Sequence, residues 1–212
     1  MVYLKSSIFE DAMEDRVELA IEVLKEGGVV AFPTDTVYGI GGNAFIEQAV
    51  AKVYQIKQRP RHLALPLLIS SKPDLERVAR VVPEVAWRLA DRFLPGGLTL
   101  VLKKAAGVPD FVAPGDTVAV RIPDHPIPIA LIRGLGAPLI GTSANLSGGA
   151  SPVTAQQVWA QLGNKVDIIV DGGRCRWGVE STVVDVSGEF PRVLREGVVP
   201  RREIEELCGY CI

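Results

Sequence analysis

From Asp11 to Glu26 apolar side chains recur at Val17, Ile21 and Leu24, the spacing of one helix face, and Gly27-Gly28 ends the pattern. Four consecutive apolar residues at 29–32 then predict a buried strand. Helical spacing returns over 47–57, with Val50, Val53 and Tyr54 turned inward, and 65–70 is a short buried strand. Residues 73–80 and 83–93 form a helical pair, each opened by a proline where a missing N–H costs nothing. Strands are expected at 98–103 and 118–122, a helix at 126–134 and a strand at 138–140. A helix follows at 154–162 with Thr154 as its N-cap. Strands at 166–170, 181–186 and 192–195 and a helix at 201–207 complete the series. Helices and strands mix without strict alternation, which favours an α/β domain of α+β type with a mixed sheet over a doubly wound one.

The 212 residues suffice for a sizeable core, and no repeat, low-complexity run or long linker divides them, so residues 1–212 are read as one domain. A net charge of −2 argues against a generally basic nucleic-acid binder, so any anion site must be a local gathering of cations. No run of about 18 apolar residues predicts a membrane span. The first residues lack a signal-peptide core, and the expected location is cytoplasmic. Three cysteines give no disulfide framework, and Cys208-Gly209-Tyr210-Cys211 lacks the second pair that a zinc site needs.

The chemistry is concentrated where the 29–32 strand runs into Pro33-Thr34-Asp35-Thr36-Val37-Tyr38-Gly39-Ile40-Gly41-Gly42-Asn43-Ala44. Hydroxyls, a carboxylate and glycines at the end of a rigid strand are how a ligand loop is built. The glycines fit a dinucleotide fingerprint only formally: they lie beyond the strand end, and Arg59 and Arg61 stand where the acidic ribose partner belongs. No P-loop sequence occurs. Lys57-Gln58-Arg59-Pro60 ends a helix with two cations, whose directions Pro60 is expected to fix, and arginine grips phosphate bidentately. Residues 141–151, Gly-Thr-Ser-Ala-Asn-Leu-Ser-Gly-Gly-Ala-Ser, present the hydroxyl and backbone donors of an anion cradle after a buried strand. Arg121 closes an apolar strand and suits a carboxylate, while Gly178-Val179-Glu180-Ser181-Thr182 places hydroxyls at the start of another. His62 and His125 stand in no triad or metal spacing. Cations and hydroxyls without acid–base pairs describe a site that works by positioning and charge stabilisation.

Seven segments, PTDTVYGIGGNA, KQRP, PGGLTLVLKK, DTVAVRIPDHP, TSANLSGGASP, GVESTVVD and VLREG, occur in order over about residues 29–197 and closely resemble the YrdC family of L-threonylcarbamoyl-AMP synthases. The resemblance implies one α/β domain with a twisted mixed sheet, helices and a large basic concave cavity. It implies condensation of L-threonine, bicarbonate and ATP to threonylcarbamoyl-AMP and pyrophosphate. The product would feed a separate transferase complex that modifies an adenosine of tRNA. Carried over residue by residue, Lys57 and Arg59 would clamp the ATP phosphates as the catalytic cations, and Thr117, Ser143, Asn145, Ser151 and Arg195 would complete the nucleotide site. Thr36, Arg121, Gly141 and Ser181 would hold L-threonine. Mg2+ would be the cofactor, held by ATP phosphates and water rather than by a dedicated protein cage.

Three positions depart from the family pattern: Leu63 and Ala64 stand where many relatives carry Asn or Lys followed by Pro, and Leu68 where some carry a histidine near the threonine. The longer relatives' C-terminal extra domain is expected to be absent, so closure of the site is expected from the N-terminal segment or the 57–65 loop. Oligomeric state is left open, a homodimer among the options, and weak RNA binding is a possible accessory property. Two rivals share the expected fold: a double-stranded RNA or tRNA-binding module, and the carbamoyl-adenylate-forming domain of hydrogenase-maturation proteins. The charge balance weighs against the first and the missing CxxC pairs against the second.

Overall fold

The structure, a computed structural model, describes residues 2–4 and 10–209. In chain order it comprises β1 (Val2–Leu4), α1 (Glu10–Lys25), β2 (Val30–Phe32), β3 (Gly39–Gly41), α2 (Glu47–Lys57) and β4 (Leu67–Leu68). A 3-10 turn (Lys72–Asp74) leads into α3 (Leu75–Val78), β5 (Ala79–Val81), α4 (Glu84–Phe93), β6 (Leu98–Lys104) and β7 (Thr117–Arg121). Then come α5 (Pro126–Leu135), β8 (Leu139–Ile140), β9 (Thr142–Ser143), α6 (Ala155–Leu162), β10 (Ile168–Val170), β11 (Thr182–Asp185), β12 (Arg192–Arg195) and α7 (Arg201–Cys208).

The expected mixed sheet is divided in two. One sheet runs β1-β10-β2-β3-β9, parallel through its first three strands and antiparallel after β2. The other runs β12-β11-β6-β7-β4-β8, with β5 paired to the far end of the long strand β6. In the first sheet, Val30 and Phe32 pack with Leu24 of α1 and Leu131 of α5, whereas Val29 and Ala31 face the larger core with Val53 of α2 and Val158 of α6. That alternation is the period of two a pleated strand imposes.

The second sheet obeys the same period and thereby makes the site. Leu98, Leu100, Leu102, Val118 and Val120 are buried in the main core, together with Leu89 of α4 and Ile204 of α7. The intervening residues Thr99, Ala119 and Arg121 face the opposite way and line a cavity. An apolar face locked beneath two helices thus fixes a polar face above it.

Several sequence expectations change. Residues 79 and 80, expected as the end of a helix, join Val81 in β5, because Ala79 and Val81 find ladder partners on β6. The 39–41 glycines, expected as loop, form β3, paired with β2 on one side and β9 on the other. Gly41 has no alternative there: a Cβ would lie 2.0 Å from the Ile140 carbonyl oxygen. Thr154 caps α6 as expected, its hydroxyl accepting from the Gln157 N–H at 3.3 Å. Tyr210 and Cys211 of the CxxC and most of the N-terminal segment lie outside the described residues.

Candidate active site

The cavity has a volume of about 620 Å³ and opens between the second sheet and the loops that leave the first. A chain of net charge −2 concentrates four cations on its wall, Lys57, Arg59, Arg121 and Arg195, against one carboxylate, Glu180. Of the eleven residues that the sequence suggested, nine line it: Thr36, Lys57, Arg59, Arg121, Gly141, Ser143, Asn145, Ser181 and Arg195. Thr117 is not on the wall and lies one alternate position beyond Ala119 on the same face of β7. Ser151 reaches the wall only through Glu180, to whose Oε1 its hydroxyl donates at 2.6 Å.

At one end stands Arg121, buried and fixed on three sides. Its Nε donates to the Gly96 carbonyl at 3.0 Å, Nη1 to the Thr36 hydroxyl at 2.8 Å and Nη2 to Asp35 Oδ1 at 2.6 Å. A guanidinium has five N–H donors, so two remain for a ligand. Asp35 is itself buried, and its Oδ1 also accepts from the Asp124 N–H at 3.1 Å. Asp35 does not line the cavity; it is the counter-ion behind the arginine.

Hydrogen-bond direction follows from the same contacts. Thr34 spends its hydroxyl proton on the Val37 carbonyl at 2.7 Å, so in the Thr34–Thr36 hydroxyl pair at 2.9 Å the proton comes from Thr36. Thr36 then accepts from Arg121 and offers the cavity only a lone pair, which suits a ligand N–H or O–H. Ser181 and Thr99 share a second hydroxyl pair at 2.8 Å beside it. The Gly141 N–H is spent on the Pro66 carbonyl at 2.9 Å, so this backbone can serve a ligand only through its carbonyl.

The other end is built on the last turn of α2. Gln58 adopts a left-handed conformation with φ 52°, ending the helix and sending its two cations apart. The turn expected from Pro60 is therefore made two residues earlier. Lys57 is buried, and its Nζ donates to the Asn145 carbonyl at 2.8 Å, to the Ser143 carbonyl and, more distantly, to Asn145 Oδ1 at 3.4 Å. Its contacts here anchor the 143–145 loop. Burial, with Arg59 adding repulsion and Glu180 opposing, brings the Lys57 ammonium down to about 8. Arg59 donates from Nε to the Leu63 carbonyl at 3.2 Å and from Nη2 to the Ala64 carbonyl at 3.1 Å, leaving further N–H groups on a wall residue. Asn145 spends its amide on the Leu146 and Gly149 carbonyls at 2.9 and 2.7 Å, and so shapes its own loop.

Leu63, Ala64 and Leu68, the departures from the family pattern, all line the cavity. Leu68 pairs with Arg121 in the ladder and packs against Gly141, where a Cβ would meet its side chain at 2.5 Å. An apolar wall therefore stands beside the buried arginine. Sequence reading missed Thr34 and Thr99 as wall residues; the alternation Leu98-Thr99-Leu100 was the available signal for the second.

Among the described residues no group of three or more His, Cys, Asp or Glu side chains is arranged to hold a metal. Mg2+ carried by a polyphosphate needs less, one or two protein carboxylates with the phosphates supplying the rest, and Glu180 on the wall fits that demand. No helix of the described residues is long and apolar enough to cross a membrane.

A family model for Sua5/YciO/YrdC, described as telomere recombination, matches residues 22–197. The chain belongs to this family. A Pyrococcus abyssi relative named threonylcarbamoyl-AMP synthase is 44% identical over 96% of this chain and 60% of its own length. A Bacillus subtilis relative of the same name is 43% identical over 92% of this chain and 57% of its own length. The chain thus spans about three fifths of these curated relatives. A crystal structure of P. abyssi Sua5 complexed with L-threonine superimposes with a TM-score of 0.91 at 42% identity, covering 99% of this chain and 61% of that one.

Proposed function

We propose that this Sua5/YciO/YrdC chain is an L-threonylcarbamoyl-AMP synthase, a nucleotidyltransferase joining L-threonine, bicarbonate and ATP. The observation that carries the reading is one cavity with a buried arginine and hydroxyl acceptor at one end, Lys57 and Arg59 at the other, and Arg195 between them on Ser181 and Glu180. A threonine carboxylate and the ATP phosphates, held apart until they react, need that division. The P. abyssi protein solved with L-threonine supports the assignment of the amino-acid end.

In this reading the threonine carboxylate takes the two remaining N–H groups of Arg121, and its amine donates to Thr36. The methyl group faces the apolar wall at Leu68. The amine adds to bicarbonate carbon and water leaves, giving a carbamate. A carbamate oxygen then attacks the α-phosphorus, the α–β phosphoanhydride bond breaks, and pyrophosphate departs with the electron pair. Arg59, Lys57 and Arg195 stabilise the charge that gathers on the phosphates, and Ser143 orients them. Mg2+, when bound with ATP, neutralises phosphate charge, and Glu180 is the wall residue positioned to hold it. A separate transferase acting on tRNA would consume the product.

The test follows pyrophosphate release with each substrate omitted in turn. Release should require L-threonine and bicarbonate, and Arg59→Ala and Ser143→Ala should each slow it about tenfold or more. Near-normal turnover in both variants would contradict the assignment. Salt-sensitive tRNA binding indifferent to ATP and threonine, without turnover, would instead favour an RNA-binding module.

A further inference from the structure

Two donors that the nucleotide reading assigns to ATP, Ser151 and Arg195, close on a carboxylate of the protein itself. Glu180 Oε1 accepts from Ser151 at 2.6 Å, and Oε2 accepts from Arg195 Nη1. The Glu180 backbone is fixed as well, its carbonyl accepting from the Val198 N–H at 2.9 Å, with Gly197 packed so closely that a Cβ would lie 2.2 Å from that oxygen. Arg195 is turned toward this spot by two bonds to the Ser181 carbonyl, at 3.2 Å from Nε and 2.8 Å from Nη2. The carboxylate still reaches the cavity, with 33% of the side chain exposed. Burial works against its charge, but the hydroxyls of Ser151 and Ser143, Arg195 and Lys57 together hold Glu180 below the usual carboxylate range.

A fixed carboxylate among phosphate donors has two consequences. It repels a bare triphosphate and competes with it for Arg195. A divalent cation on the triphosphate reverses the first effect, because the same oxygens then become ligands. We propose that Glu180 is an internal counter-anion that occupies the phosphate donors and passes to the divalent cation arriving with the nucleotide, so that nucleotide affinity depends on that cation. The proposal rests on the nucleotide reading of the cavity and adds a regulation to it.

Calorimetric titration with ATP, in EDTA and in excess Mg2+, separates the two. Wild-type protein should bind ATP about tenfold or more tightly with Mg2+, the scale of relieving one close like-charge contact. In Glu180→Gln the affinity in EDTA should rise and the Mg2+ advantage should shrink to about twofold, because the carboxamide neither repels phosphate nor ligates the cation well. Glu180→Ala, checked for folding by thermal melting, should show the same loss of cation dependence and guards against a side effect of the amide. Intact binding with the wild-type cation dependence in both variants would overturn the role of Glu180 while sparing the nucleotide site. Folded wild-type protein that binds ATP in neither condition would overturn the nucleotide reading, and this proposal with it.

Discussion

Lys57 sits where burial and bonding pull in opposite directions. Its ammonium is brought down to about 8 by burial first and Arg59 second, yet Nζ is aimed at three oxygens of the 143–145 loop. Polyphosphate binding nearby favours the charged form, so Lys57 should take up a proton when nucleotide binds above pH 8. Titrations at pH 8.5 in two buffers of different ionisation enthalpy should report fractional proton uptake, absent at pH 6.5, where the lysine is already charged. Lys57→Met should abolish the uptake. The linkage to folding has the same origin: charged Lys57 is a burden on the native state below about pH 8, relieved as pH rises toward the ordinary lysine value. Asp35 carries the opposite lesson. Asp35→Ala leaves Arg121 buried without its counter-ion, and breaking a buried pair this way costs about 3–5 kcal/mol. Urea unfolding should show a loss of that order, and a loss within experimental error would mean that Arg121 does not depend on Asp35.

At the scale of elements, the site is held by close backbone approaches as much as by side chains. Gly197 lies against the Glu180 and Ser181 backbone at the entry to β11, so Gly197→Ala has nowhere to put its methyl group. The cost should be about 1–3 kcal/mol in unfolding, with nucleotide affinity falling because Glu180, Ser181 and the bonds of Arg195 shift together. Wild-type stability and affinity in that variant would contradict the packing described. Sequence periodicity located most long elements, because α2, α4, β6 and β7 each alternate one apolar face with one polar face over several residues. The very short strands escaped it. Two or three residues at β3, β5 and β9 carry no readable period, and their strand character comes from partners distant in sequence. The turn at Gln58 escaped for a related reason, since a left-handed non-glycine residue has no compositional mark and Pro60 offered a more visible explanation.

On the scale of the molecule, two sheets serve one cavity: the first delivers the 33–38 and 141–151 loops, the second its polar face. The loops are laced together. Tyr38 N–H donates to the Pro152 carbonyl and Ala144 N–H to the Tyr38 carbonyl, both at 2.8 Å, while Gly178 N–H donates to the Thr36 carbonyl at 2.9 Å. The residue types of the site were legible because hydroxyls, cations and glycines cluster in a few segments, and the family resemblance gave them roles. Their pairing was not legible. Asp35 lies 86 residues from Arg121, behind which it stands, and Glu180 lies 29 residues from Ser151 and 15 from Arg195, the two donors that hold its carboxylate.

The central claim is that L-threonine, bicarbonate and ATP meet in this cavity and react there. It is tested most directly by mass detection of the product formed from L-threonine, ATP, Mg2+ and ¹³C-bicarbonate within seconds of mixing, with each component omitted in turn. A threonylcarbamoyl-AMP species carrying one ¹³C, formed only in the complete mixture, is the predicted result. Pyrophosphate release indifferent to threonine, or folded protein yielding neither labelled product nor pyrophosphate, would contradict it.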